Sequence, residues 1–205
     1  MNIVMVCIDS FNLCITINYI VLLVLMASIF IFYKKKKWFV KSLEVNKIEL
    51  GLKGPNISLQ INKKNQEIAY KLWVELNTRK IGLKYEEDDD VIEEVYNSWY
   101  NFFKIAREIL KEMPATKIQD SYKLVELTLD ILNLGLRPHL TKWQARFRQW
   151  YLQEKENNPN VTPQEIQKRY PQYEELIKDL LNTNQNMMTY TNLMKKLVFG
   201  EDISK

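Results

Sequence analysis

The run ITINYIVLLVLMASIFIFY, residues 15–33, carries no charge over 19 positions and sets the first expectation for the fold. A helix of about 20 apolar residues spans the ~30 Å of bilayer hydrocarbon. Tyr19 and Tyr33 sit near its ends, where amphipathic rings favour the membrane–water interface. Lys34, Lys35, Lys36, Lys37 and Trp38 come directly after it and read as a membrane-interface cluster. Bases directly after a single span predict a cytoplasmic C-terminal side and an N-terminus outside. The expectation is therefore a single-pass protein of the inner (cell) membrane, with the lipid bilayer as its first partner. A cleaved signal peptide wants a basic start, whereas the start here holds Asp9 and no base.

Polar side chains in and beside the run bear on assembly. Asn12, Thr16, Asn18 and Ser28 are the candidates for transmembrane helix association, through hydrogen bonds between helices of a homo-oligomer. No continuous polar stripe crosses residues 19–33, so a plain anchor and a narrow pore gated by dewetting both fit. Cys7 and Cys14 have the wrong spacing for a zinc site and no accompanying histidine, and no other metal or cofactor site is expected.

Charge changes character after the lysines. Four of the 29 bases are Lys34–Lys37 and one of the 25 acids is Asp9, leaving 25 bases and 24 acids for residues 38–205. A general nucleic-acid binder would show a stronger basic bias. Any anionic ligand must then meet a local patch.

The remainder reads as mainly helical. Ile48, Leu50 and Leu52 alternate with polar residues, as do Ile57, Leu59 and Ile61, and Lys53-Gly54-Pro55-Asn56 has turn chemistry, so residues 43–61 predict a β-hairpin. Helical periodicity begins after it: Ile68, Leu72, Trp73 and Leu76 in residues 63–80, then Ile92, Val95, Trp99, Phe102, Phe103, Ala106 and Ile109 in residues 89–113. Residues 120–134 are apolar nearly all round and predict a central helix ended by Gly135 and Pro138. Another helix covers 139–156. Thr162-Pro163-Gln164-Glu165 is a capping box that starts a helix. Pro171 breaks or kinks that helix, and residues 186–199 form a last one. The expected organisation is a membrane anchor with a basic stop (1–37), a stalk and short β-hairpin (38–62), and a compact cytoplasmic bundle of about five helices (63–205).

One segment carries the strongest functional signal. LRPHLTKWQARFRQWY, residues 136–151, holds Arg137, Lys142, Arg146, Arg148, the single histidine His139 and no acid. Bases interleaved with Trp143, Phe147, Trp150 and Tyr151 suit phosphates and stacked rings. The same spacing also puts Leu140, Trp143, Phe147 and Trp150 on one helix face, as a core stripe would. Residues 86–94, EEDDDVIEE, place seven acids before a helix, where the dipole favours negative charge. Phosphate-cradling glycine loops, HExxH, GxSxG and Cys/His dyads are all missing, so the sequence gives no catalytic residues and the expectation is not an enzyme.

The short anchor, Lys34–Lys37 and a helical domain carrying Leu136–Tyr151 together resemble small single-anchor membrane effectors of bacterial anti-phage defence systems. The Hailong-type channel subunit is the nearest architecture. That resemblance implies an oligomeric ion channel or effector gated by nucleotide binding, with a nucleotide or short single-stranded oligonucleotide held by the cytoplasmic domain. It also implies a nucleotidyltransferase as operon partner. Arg137, His139, Lys142, Arg146 and Arg148 are the expected ligand-binding residues. The alternative is a membrane-tethered scaffold or binding module that recruits a soluble protein partner without a pore.

Overall fold

The computed structural model describes residues 3–8, 13–38, 42–113 and 118–200. The chain divides into two compact units, Met1–Lys41 and Ser42–Lys205.

In the first unit the apolar run is split between two kinds of backbone. Strand β1, Ile3–Ile8, pairs antiparallel with β2, Leu13–Asn18, and Cys7 stands opposite Cys14 in the register. Helix α1 begins only at Tyr19 and extends through the lysines to Trp38. Ile15, Thr16 and Ile17 are β-branched and stiff at χ1, which favours the extended conformation. The split shortens the apolar helix. The apolar part of α1 ends at Tyr33, so about 15 residues remain and cover roughly 22 Å at 1.5 Å per residue, short of ~30 Å. Among the described residues no helix is long and apolar enough to cross a membrane.

This overturns the expected transmembrane helix, and with it the membrane protein, the ion channel and the single-pass placement in the inner membrane. The residues assigned to helix association lose that basis. Thr16 and Asn18 lie in β2, Ser28 Oγ donates to Leu25 O of its own helix at 2.8 Å, and Asn12 lies outside the described residues. Lys34–Lys37 and Trp38, expected to flank a span, are the last turns of α1 itself.

The second unit is mainly helical and opens with a two-stranded antiparallel sheet. Strands β3, Ser42–Val45, and β4, Ile57–Gln60, pair with Leu43 opposite Leu59 and Val45 opposite Ile57. The second strand is where the alternation placed it, whereas the first lies before Ile48, Leu50 and Leu52. Residues 48–50 form a 3-10 turn instead. Asn46 Oδ1 accepts from Ile48 N at 3.0 Å, Leu50 N donates to Lys47 O at 3.1 Å, and Gly51 reverses the chain at φ 71°. Leu50 and Leu52 are buried but Ile48 is 73% exposed, so the alternating pattern holds for burial at two of its three positions and fails for backbone conformation.

Helices α2, Lys63–Asn77, and α3, Ile92–Lys111, carry the predicted apolar faces, with Leu72, Leu76, Trp99 and Phe102 fully buried. Helix α4, Ile118–Asp130, does not end at Gly135. It passes through a π-helical segment, Ile131–Leu136, into α5, Arg137–Asn157. Arg137 N donates to Leu132 O, five residues back. Pro138 then falls in the first turn of α5, where a missing N–H costs little. After the capped helix α6, Pro163–Gln167, helix α7 runs unbroken from Tyr173 to Phe199 and packs along α2.

Two buried amides fix the loop between α2 and α3. Asn184 of α7 accepts from Tyr85 N at 3.0 Å and donates to Leu83 O at 2.9 Å. Gln167 accepts from Ile92 N at 2.8 Å and donates to Asp90 O at 2.9 Å. The start of α3, whose N-cap Val91 has no capping side chain, is thus capped from α6.

Candidate ligand-binding cleft

The aromatic residues of α5 belong to the core. Trp143, Phe147 and Tyr151 are buried, and Leu140 and Trp150 are half-buried against them. Phe147 stacks on Tyr151 at 5.4 Å and meets Tyr170 edge-on at 5.4 Å. The stripe of Leu140, Trp143, Phe147 and Trp150 is therefore structural, and the Trp143 and Phe147 rings are closed to a stacking base.

The bases of α5 part company around the helix. Arg137 donates to Asn133 Oδ1 from Nε (3.2 Å) and from the guanidinium terminus (3.1 Å), and it covers the Phe103 ring at 4.7 Å. Arg148 donates to Asn97 Oδ1 at 3.0 Å and lies 3.8 Å from Glu93. Both are used in joining α5 to α3 or to its own preceding turn. Lys142 lies over the Trp143 ring at 4.3 Å. Arg146, one turn further along the same face, is exposed, and neither it nor Lys142 has an acid partner among the described residues. The four bases do not converge; Lys142 and Arg146 stand apart from the other two.

His139 is not a surface ligand. At 2% exposure it is on the buried side of α5, with Nδ1 at 2.9 Å from Asp179 Oδ2 and Nε2 at 3.2 Å from the Tyr96 hydroxyl. Trp143 Nε1 donates to the same Asp179 oxygen at 2.7 Å. Burial lowers the His139 pKa below its ordinary value, opposed in part by the hydrogen bond to Asp179. The neutral ring then donates from Nδ1 and accepts the Tyr96 proton at Nε2. Burial also pushes the Tyr96 hydroxyl far above its usual range. Hydroxyl, imidazole and carboxylate in line have the form of a nucleophile–base–acid relay. Tyr96 is 0% exposed, however, so no substrate reaches its oxygen, and the relay serves to hold Asp179.

A folded-state pKa below the unfolded one has a definite sign. The stabilising contribution of neutral His139 is complete above about pH 6.5 and is lost as the pH falls from there through the folded value. Urea unfolding at pH 7.5 and pH 5.5 is expected to show a drop of up to about 1.4 kcal/mol in the wild type. The drop should shrink in His139→Gln; an unchanged drop would assign it to other groups.

Asp179 opens onto a cleft of about 290 Å³ between α5 and α7. Lys142, Pro138 and Gly135 line one side, and Asp179, Asn182, Thr183 and Asn186 of α7 line the other. Gly51 also lines the cleft. Its φ of 71° disfavours any side chain, and a Cβ there would collide with the Asn186 amide. A second cleft of about 300 Å³ lies between β3 and α7, walled by Glu44, Glu49 and Lys196. It is marginally larger, but neither of its carboxylates is held by a buried donor among the described residues. In the α5–α7 cleft the buried His139 and Trp143 both orient Asp179.

The acidic stretch is tied to other elements. Lys80 pairs with Asp90 at 2.8 Å, Lys168 with Asp88 at 2.8 Å, and Asp90 Oδ2 accepts from Glu86 N at 2.8 Å. Arg148 with Glu93 is its one contact to the bases of α5 among the described residues. Within those residues no group of three His, Cys, Asp or Glu could hold a metal ion.

Sequence reading misses Asp179, Asn182, Thr183 and Asn186. The available signal was a polar row at i, i+3, i+4 and i+7 in a helix whose neighbouring positions are apolar. No family model, curated protein or solved structure matches the chain, so the site stands on its geometry.

Proposed function

We propose that the helical unit is a recognition module, without catalytic activity, for a small phosphate-bearing ligand of the nucleotide class. The observation that carries this reading is Lys142, a base without an acid partner among the described residues, at a polar cleft whose opposite wall holds a fixed carboxylate and two amides. Ligand sites of roughly 300 Å³ lie at the small end of the usual range, which suits a mononucleotide better than a strand. Arg146 extends the positive charge one turn beyond the cleft. Arg137 and Arg148, already engaged with Asn133 and with Asn97 and Glu93, serve α5 packing.

The double variant Lys142→Glu/Arg146→Glu tests the proposal. Charge-assisted hydrogen bonds contribute about 1.5–3 kcal/mol each, so the variant is expected to weaken nucleotide binding by roughly 100-fold or more. Both side chains are exposed, and the far-UV dichroism and melting temperature should stay near wild type. Titration of a nucleoside monophosphate panel against Trp fluorescence reads the affinity, because the Trp143 indole donates to Asp179 of the cleft wall. Unchanged affinity in the variant, or no binding by the wild type at millimolar ligand, would overturn the assignment.

A further inference from the structure

We infer that Asp179 reads a sugar hydroxyl, and that the cleft takes a ribonucleotide-type phosphate ester with an intact vicinal diol. This rests on the phosphate reading of the same cleft. Oδ2 of Asp179 already accepts two hydrogen bonds, from Trp143 Nε1 at 2.7 Å and His139 Nδ1 at 2.9 Å. Oδ1 has no partner among the described residues, and the side chain keeps 38% exposure where it lines the cleft. An ionised carboxylate only accepts, so a single acceptor is left for a ligand.

Beside it, α7 presents Asn182 and Asn186, three and seven residues on, along one helix face. Neither amide has a hydrogen bond among the described residues, and each offers both donors and an acceptor. A ligand group that satisfies such a row must donate to the carboxylate and accept from an amide. A hydroxyl does both, and the second hydroxyl of a vicinal pair is placed for the neighbouring amide. Guanine presents two adjacent donors and calls for both carboxylate oxygens, one of which is occupied. An exocyclic amine donates without accepting well and leaves the amide N–H groups unanswered. Inorganic phosphate meets repulsion from Asp179.

The charges are also spaced for such a molecule. Lys142 and Asp179 line the same cleft without forming an ion pair, so a cation and an anion stand apart across it. A sugar phosphate carries its anionic group at one end and its hydroxyl donors at the other.

The test is isothermal titration of the full chain, at one fixed salt concentration, with adenosine monophosphate, its 2′,3′-dideoxy analogue and inorganic phosphate. The wild type is expected to bind the ribonucleotide about 10-fold or more tightly than the dideoxy analogue, as the loss of one or two hydrogen bonds implies. Asp179→Asn keeps one oxygen for His139 and Trp143 and replaces the free acceptor with an N–H₂ donor. It should remove the preference, bringing the ratio of the two nucleotide affinities to about 1. Equal wild-type affinities for the two nucleotides, both abolished by Lys142→Glu, would overturn the hydroxyl assignment and leave the phosphate site standing. Binding of neither nucleotide would overturn both.

Discussion

Asp179→Leu is expected to cost the helical unit about 2–4 kcal/mol of stability. Two N–H groups depend on that carboxylate, His139 Nδ1 and Trp143 Nε1, and both residues are almost wholly buried. An apolar side chain of similar size leaves them without an acceptor, at about 1–3 kcal/mol each. The cleft admits water near Asp179, which keeps the sum below the full penalty for two enclosed donors. Asp179→Asn retains one acceptor oxygen and should lose about 1 kcal/mol. Urea denaturation of the three proteins at pH 7.5 gives the comparison. Equal stabilities for Asp and Leu at this position would mean that the carboxylate does not orient His139 and Trp143, and the fixed wall of the cleft would go with it.

Phe147→Ala carries the largest expected loss, about 3–5 kcal/mol. Its ring meets Tyr151 at 5.4 Å, Tyr170 at 5.4 Å, Tyr96 at 6.2 Å and Trp150 at 6.2 Å, and so joins α3, α5 and the turn before α7. Removal opens a cavity among large, rigid rings that cannot collapse into it. For a unit of this length each kcal/mol lowers the melting temperature by about 2–4 °C, so a fall of roughly 10 °C is expected by thermal dichroism. A fall of under 2 °C would show that Phe147 is not part of a tightly packed core.

Those two residues mark what could be read from the sequence. Phe147 was legible: its spacing from Leu140, Trp143 and Trp150 defines a helix face, and periodicity is a property of neighbours along the chain. The second strand of the hairpin, the apolar stripe of α3 and the Thr162 capping box were legible on the same grounds. Asp179 was not, because its role is fixed by His139 and Trp143, 40 and 36 residues earlier. The bases of α5 misled in the opposite way. Their shared sign suggested one patch, but an α-helix sends positions 137 and 148 to one side and 142 and 146 to another. The apolar run failed as a membrane span for a comparable reason. Hydropathy sums residues 15–33 as one stretch, whereas β-branched Ile15, Thr16 and Ile17 belong to a strand and only the part from Tyr19 is helical.

The π-helical segment between α4 and α5 acts as a phase shift. With one hydrogen bond spanning five residues instead of four, the helix gains a residue without gaining a turn. Everything downstream is therefore rotated by about 100° relative to an uninterrupted α-helix. The chain's length between Ile131 and Leu136 is thus a setting of azimuth. Removing a single residue there would leave α5 just as helical and just as hydrophobic in composition. It would nonetheless turn Phe147 off its partners and carry Lys142 away from the wall formed by Asp179, Asn182 and Asn186.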